Sequence, residues 1–168
     1  MLELLRLPPG EVDLASYDTR ATPGFDGDKT AGREALAALA PELGDLQERL
    51  YAERTSGSTR RVLLVLQGMD TAGKGGTVRH VAGLVDPQGL RITGFGAPSA
   101  EELAHDFLWR VRRALPAPGQ IGVFDRSHYE DVLAAKVRGL ADDTEVERRY
   151  GAINDFEAEL VESGTRVL

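Results

Sequence analysis

The chain has 168 residues, of which 42% are apolar and 28% charged, and this composition is typical of one ordinary soluble globular domain. Its net charge of −7 argues against non-specific nucleic-acid binding, and no apolar run approaches the roughly 18 residues of a membrane span. The absence of cysteine excludes disulfides and thiolate chemistry, and is compatible with a reducing cytoplasm, where we expect the protein.

The first part of the chain differs in pattern from the rest. Residues 1–29 are rich in Gly, Pro and Asp and predict an extended arm with turns. From about residue 29 to 53, leucines three and four apart predict an amphipathic helix that packs on the core. Pro41 predicts either a kink or a junction of two helices. We therefore predict an N-terminal arm and helix over 1–60 and a core over 61–168.

Beyond residue 60, short apolar runs alternate with helical patterns. The predicted strands are 62–66, 89–96, 120–125 and 164–168. The predicted helices are 74–85, 99–114, 127–138 and 142–162. This alternation predicts an α/β fold in which helices flank a parallel sheet on both faces. Ser99 with Glu102, and Ser127 with Glu130, predict capping boxes at two helix starts.

A glycine-rich loop follows the first predicted strand and opens a helix. Gly68, Gly73 and Lys74 fit the phosphate-binding pattern G-x-x-x-x-G-K-[ST], but Gly75 takes the place of the hydroxyl. The loop amides and the lysine are predicted to cradle phosphate oxygens. The predicted phosphate-binding residues of the loop are Gly68, Thr71, Ala72, Gly73, Lys74 and Gly75. A glycine-rich turn without a ligand is the alternative.

An acid inside this loop is unusual. A carboxylate near bound phosphates is repelled unless a cation lies between them, and Mg²⁺ binds one or two carboxylates together with substrate phosphates. We therefore predict that Asp70 replaces the missing hydroxyl as a metal ligand. The alternative is a loop acid that points to solvent.

The segment "GVFDRSHYEDVL" carries the second polar cluster. Its strand ends at Asp125, which places a carboxylate where ligands bind in doubly wound folds and where phosphate-loop enzymes carry a second metal-ligating acid. Arg126 could donate to a phosphoryl oxygen, or form an ion pair with Glu130 or Asp131. A capping box alone would explain Glu130. The neighbouring His128 is predicted to pack or cap rather than to catalyse.

Basic residues concentrate in the middle of the chain, although the protein is acidic. They indicate either solvated helix faces or a local positive channel for a small polyanion. The residues are Lys74, Arg79, Arg110, Arg112, Arg113, Arg126, Lys136 and Arg138.

Four separated segments together resemble the polyphosphate kinase 2 family. They read "LQGMDTAGKGGTVRHV", "FGAPSAEELAHDFLWRV", "LPAPGQIGVFDRSHYEDVL" and "RRYGAINDFEAELVESGT". The arm resembles the N-terminal region of the nucleotide-phosphotransferase branch. The resemblance implies a P-loop kinase fold related to thymidylate kinase. It also implies reversible, Mg²⁺-dependent phosphoryl transfer between inorganic polyphosphate and AMP or ADP, by a dimer or tetramer.

The resemblance assigns roles to residues by position. The implied catalytic residues are Asp70, Lys74, Asp125 and Arg126, and the implied metal ligands are Asp70, Asp125 and Glu130. Lys136 and Arg138 would line the path of the polyphosphate. The chain departs from the pattern at Gly96, where family variants often have lysine.

A second departure lies at the end of the chain. Family members continue past a strand like "GTRVL" into a basic helical lid, whereas this sequence stops at Leu168. Since a lid excludes water from phosphoryl transfer, we expect weak activity from these residues alone. Two other functions remain open: a nucleoside monophosphate kinase that uses ATP, and an inactive phosphate-binding module.

Overall fold

The structure, a computed structural model, describes residues 2–137, 139 and 141–168, and for residue 2 it describes the backbone alone. The chain divides into two compact units, and the boundary in the sequence lies between Leu39 and Ala40. The first unit contains a short helix α1 (Leu2–Leu5) and a 3-10 turn (Leu14–Ser16). The predicted extended arm therefore includes two short helical turns. A boundary between arm and core at residue 60 stays a prediction.

The long helix α2 spans Lys29–Glu53, as the leucine pattern predicts. Asp28 caps its start, because one carboxylate oxygen accepts hydrogen bonds from the backbone N–H groups of Thr30 and Ala31. Pro41 lies inside the helix, so the interpretation as two helices that meet there is wrong.

The sheet has four parallel strands in the described part of the chain, in the order β2-β3-β1-β4. Their bounds are β1 Arg61–Leu66, β2 Leu90–Gly94, β3 Ile121–Asp125 and β4 Thr165–Val167. Asp125 pairs in register with Leu66 on one side and Gly94 on the other. The carboxyl ends of three strands therefore meet beside Asp125, and the predicted strands and α/β fold class are confirmed.

The remaining helices are shorter than the sequence predicts. They are α3 Lys74–His80, α4 Ala100–Leu103, α5 Trp109–Ala114, α6 Glu130–Val137 and α7 Asp143–Glu162. The single helix predicted over 99–114 is wrong. Asp106 interrupts it, since its side chain accepts from Leu108 N and its carbonyl from Trp109 N. The capping box of Ser99 and Glu102 is confirmed.

The second predicted capping box, at Ser127, is wrong. Helix α6 begins at Glu130, so Glu130 cannot occupy the third helical position. The Ser127 hydroxyl instead accepts a hydrogen bond from Tyr129 N at 3.2 Å, and the Glu130 carboxylate accepts from Gln67. The Glu130 carboxylate thus bonds to the side chain that follows β1 instead of forming the local cap.

The hydrophobic core lies between the sheet and α7. Helix α7 buries Ile153 and Phe156 against the core, each 1% exposed, and the central strands contribute Leu63 and Phe124, each 0% exposed. Full burial of such side chains contributes about 1.5–3 kcal/mol each. The loops that follow β1 and β3 are thus attached to strands that contribute fully buried core residues. No helix among the described residues is long and apolar enough to cross a membrane.

Candidate active site

A cleft of about 380 Å³ opens at the carboxyl ends of β1 and β3. These strands are neighbours, so the loop after β1 and the turn after β3 face each other across the sheet edge. The cleft is lined by Asp70, Thr71, Ala72, Gly73, Lys74, Gly75, Asp125 and Arg126. It brings together all four residues predicted to be catalytic. Of the predicted loop residues, only Gly68 lies outside this lining.

The backbone of the glycine-rich loop leaves room for an anion. Gly73 has φ = 96°, a conformation that favours glycine, and it precedes the first residue of α3. A Cβ atom placed on Gly73 or Gly75 would meet nothing within 4 Å. These two positions therefore keep the loop surface open toward the cleft.

Lys74 supplies a positive charge held by the loop itself. Its ammonium donates to the carbonyl oxygens of Gly68 and Met69, both at 2.9 Å. Gly68 thus serves the site through its carbonyl although it does not line the cleft. Because two backbone carbonyls hold the ammonium group, its positive charge stays beside the loop backbone, where phosphate oxygens would bind.

An ion pair joins the two sides of the cleft. Arg126 Nη2 donates to Asp70 Oδ1 at 2.7 Å, and Arg126 N donates to the carbonyl of Leu66 at 3.0 Å. The partner of Arg126 is therefore neither Glu130 nor Asp131. The Asp70 side chain is 84% exposed, so the pair is open to solvent and contributes at most about 1 kcal/mol to stability.

Backbone strain is concentrated in the same cleft. Within the described part of the chain, Thr71 (φ = 68°) and Arg126 (φ = 65°) are the two non-glycine residues with positive φ. Such conformations cost about 1–3 kcal/mol each and cluster at functional sites. Sequence reasoning missed both, because neither residue type favours this region.

The donor set of the cleft fits Mg²⁺ bound together with substrate. Asp70 and Asp125 supply two carboxylates to one cleft. Among the described residues, no group of three or more His, Asp or Glu side chains is arranged to hold a metal. Mg²⁺ rarely needs such a cage, since it keeps several waters and takes phosphate oxygens beside one or two carboxylates.

Comparisons with known proteins identify the family of the chain. Residues 26–168 match the family described as polyphosphate kinase 2. The chain belongs to this family. It is 45% identical over 161 residues to the AMP/ADP-polyphosphate phosphotransferase of Meiothermus ruber and 40% identical over 176 residues to the ADP-polyphosphate phosphotransferase of Rhodopseudomonas palustris. These alignments cover 96% and 97% of this chain.

A solved structure extends the likeness to the fold. The crystal structure of polyphosphate kinase 2 from Arthrobacter aurescens superposes with a TM-score of 0.93 at 54% identity, over 99% of this chain and 58% of that one. The predicted P-loop kinase fold and family resemblance are confirmed. The chain spans 59% of the length of both phosphotransferases.

Gln67, a residue that the sequence reasoning missed, lies directly before the phosphate-binding loop of this polyphosphate kinase 2 family member and does not line the cleft. Its Nε2 donates to Glu130 Oε1 at 2.8 Å, and its Oε1 accepts from the Ser127 hydroxyl at 3.1 Å. Glu130 does not line the cleft. The available signal was a polar residue placed directly between a buried strand and a phosphate-binding loop.

A buried cluster ties the turn after β3 to α7. His128 is 0% exposed, and its Nε2 lies 3.1 Å from Glu157 Oε1, the oxygen to which Tyr129 donates at 2.7 Å. An ionised carboxylate only accepts, so His128 Nε2 carries the proton, and the buried Nδ1 atom has no hydrogen-bond partner among the residues that the structure describes. This hydrogen bond from His128 lowers the pKa of Glu157 most, and burial opposes it. Burial, and then Glu157, raises the pKa of Tyr129.

Four of the eight central basic residues make contacts outside the cleft, and these are Arg110, Arg112, Arg113 and Lys136. Arg110 is buried and donates to the carbonyl of Gly96 and to Asp131. Burial raises the pKa of Asp131, although the charge of Arg110 opposes this shift. Arg112 pairs with Glu159, and Arg113 lies over the ring of Trp109. Lys74 and Arg126 thus supply the positive charge among the described cleft residues. Lys136 Nζ lies 3.5 Å from Asp143 Oδ1. Arg138 lies outside the described residues.

Proposed function

We propose that the cleft transfers a phosphoryl group between inorganic polyphosphate and AMP or ADP, reversibly and with Mg²⁺. The observation that carries the proposal is the convergence of Asp70, Lys74, Asp125 and Arg126 on one cleft. The relatives named as polyphosphate phosphotransferases support the choice of substrates. We extend the proposal to a homo-oligomeric enzyme in the cytoplasm.

The residues of the cleft divide the work of binding two polyanions. Lys74 and the amides of the loop hold one phosphate chain, and Arg126 neutralises charge on the other. In-line transfer between the chains needs positioning and electrostatic stabilisation, without a covalent enzyme intermediate. Lys136 and Arg138 would extend the path of the polyphosphate away from the cleft.

Asp70 and Asp125 would hold the metal. When bound, Mg²⁺ neutralises charge between the two phosphate groups. Asp70 also accepts from Arg126, so the same carboxylate would orient the guanidinium toward the transferred group. Glu130, which the resemblance implies as a third ligand, has one oxygen engaged by Gln67, and its metal role stays a prediction.

The direct test supplies the full encoded protein with Mg²⁺, polyphosphate and either AMP or ADP. We expect ADP or ATP to form, as resolved by anion-exchange chromatography. In a matched reaction, ATP and AMP are supplied without polyphosphate. Product only in this second reaction would instead identify an ATP-dependent monophosphate kinase. Polyphosphate binding without turnover in either reaction would identify an inactive module.

A further inference from the structure

We infer that Gln67 is a positioning residue that fixes the turn after β3 against the phosphate-binding loop, and that Glu130 serves the site through Gln67. The inference rests on the proposed function, because it explains how the two halves of that site keep their alignment. Gln67 occupies the one position between the end of β1 and Gly68, where the loop begins. A change in the position of Gln67 would therefore also shift the start of the loop.

The chemistry of its partners fixes the orientation of the Gln67 amide. The Glu130 carboxylate accepts hydrogen bonds when ionised, so it must face the Nε2 group of Gln67 at 2.8 Å. The Oε1 atom then faces Ser127 at 3.1 Å and accepts from its hydroxyl. Both ends of the amide are used, and a flipped amide would place an oxygen against the carboxylate.

The network continues into the backbone of the turn. Ser127 is 0% exposed, and its hydroxyl oxygen accepts from Tyr129 N at 3.2 Å. Arg126 N donates to Leu66, the residue directly before Gln67. One side-chain bridge and one backbone bond therefore hold the strained residue Arg126 beside the strand that leads into the loop.

In this role Glu130 contributes to the site without contacting phosphate or metal. Glu130 is the first residue of α6, and it lies outside the cleft lining. Its hydrogen bond to a side chain 63 positions earlier links the start of α6 to the end of β1. A local cap could not make that link, which explains why the predicted capping box at Ser127 is absent.

A donor–acceptor exchange tests the inference. Gln67→Glu places two carboxylates against each other, whereas Gln67→Glu combined with Glu130→Gln restores one donor and one acceptor with one negative charge. We expect Gln67→Glu to lower kcat about tenfold or more with little change in KM, and the double exchange to restore most of it. Gln67→Met, which adds no charge, should lower kcat in the same direction. Gln88→Glu, at an exposed turn, is the control for added charge.

Amide hydrogen exchange over residues 126–130 gives a second readout that needs no turnover. We expect faster exchange in Gln67→Glu and in Gln67→Met, and a return to the slow rate in the double exchange. If the wild-type protein has no transferase activity, that result counts against the proposed function alone. The rates of amide hydrogen exchange still test the positioning role of Gln67. Unchanged exchange in both single variants would overturn it. A double exchange that recovers slow exchange but not kcat would also overturn it, by showing that the Glu130 carboxylate acts on the reactants.

Discussion

Arg126 donates to Asp70 across 2.7 Å, and this contact joins the turn after β3 to the loop after β1. The two residues come from segments that are 56 positions apart. The ion pair is exposed, so it adds little to folding stability. Its value lies in placing a carboxylate and a guanidinium side by side in a cleft that already contains Lys74 and Asp125.

Asp70→Asn should reduce transfer by about 100-fold or more and raise the Mg²⁺ concentration needed for half-maximal rate, because an amide is a poor Mg²⁺ ligand. The free energy of unfolding should change by less than about 1 kcal/mol, as expected for an exposed pair. Initial rates across a Mg²⁺ titration measure the effect. Asp155→Asn, at an exposed position on α7, is the charge-matched control. Full Mg²⁺-dependent turnover in Asp70→Asn would rule out the metal role.

Lys74→Met should lower kcat/KM for transfer by about 100-fold, because it removes the cation that two loop carbonyls hold at the phosphate position. Steady-state rates at varied polyphosphate and varied nucleotide show which substrate loses affinity and thus which chain lies in the loop. Lys29→Met, at the exposed start of α2, should leave kcat/KM for polyphosphate and for nucleotide unchanged. Equal kinetic constants in Lys74→Met and wild type would show that Lys74 has no role in binding or transferring phosphate.

Thr71→Gly should raise the free energy of unfolding by about 1 kcal/mol, because glycine adopts φ = 68° without the strain that threonine carries. Chemical denaturation measures the change. The same substitution at Thr77, inside α3, should instead lower stability by up to about 1 kcal/mol, since glycine is a poor helix residue. Destabilisation of equal size at both positions would show that the strain at Thr71 is not relieved.

Glu157→Gln should destabilise the fold at neutral pH by about 1 kcal/mol, since it removes a charged acceptor of the His128 and Tyr129 hydrogen bonds. The folded-state pKa of Glu157 lies below its ordinary value, so its contribution is present above that value and is lost as pH falls through the folded pKa. Denaturation of both proteins from neutral to acidic pH should therefore show a gap that narrows with acid. Glu162→Gln, at the exposed end of α7, is the control. A gap that stays constant or widens with acid would contradict the cause assigned to the shift.

The sequence predicted the parallel α/β fold and the content of the cleft because both follow from local patterns. Apolar runs mark the strands, and the motif around Lys74 places its residues at the end of β1. The partner of Arg126 was not predictable in this way, because strand order decides which loops meet. The Gln67 bridge was missed for the same reason, since it joins residues 63 positions apart. It also displaced the capping box that the local spacing of Ser127 and Glu130 predicts.

The helix predicted over 99–114 shows the opposite failure. Its apolar spacing suits a continuous helix, but Asp106 accepts local hydrogen bonds that compete with the helical ones. A propensity summed over the segment does not register one such competitor. Roles for Lys136 and Arg138 in binding polyphosphate remain predictions, and Arg138 lies outside the described residues.

The most direct measurement follows nucleotide products from the full encoded protein with polyphosphate, Mg²⁺ and AMP or ADP, beside the variant that carries both Asp70→Asn and Asp125→Asn. We predict new nucleotide phosphates with the wild-type protein, and at least about a 100-fold lower rate with the variant. No product from the wild-type protein, or equal rates from both proteins, would contradict the assignment of phosphoryl transfer to this cleft.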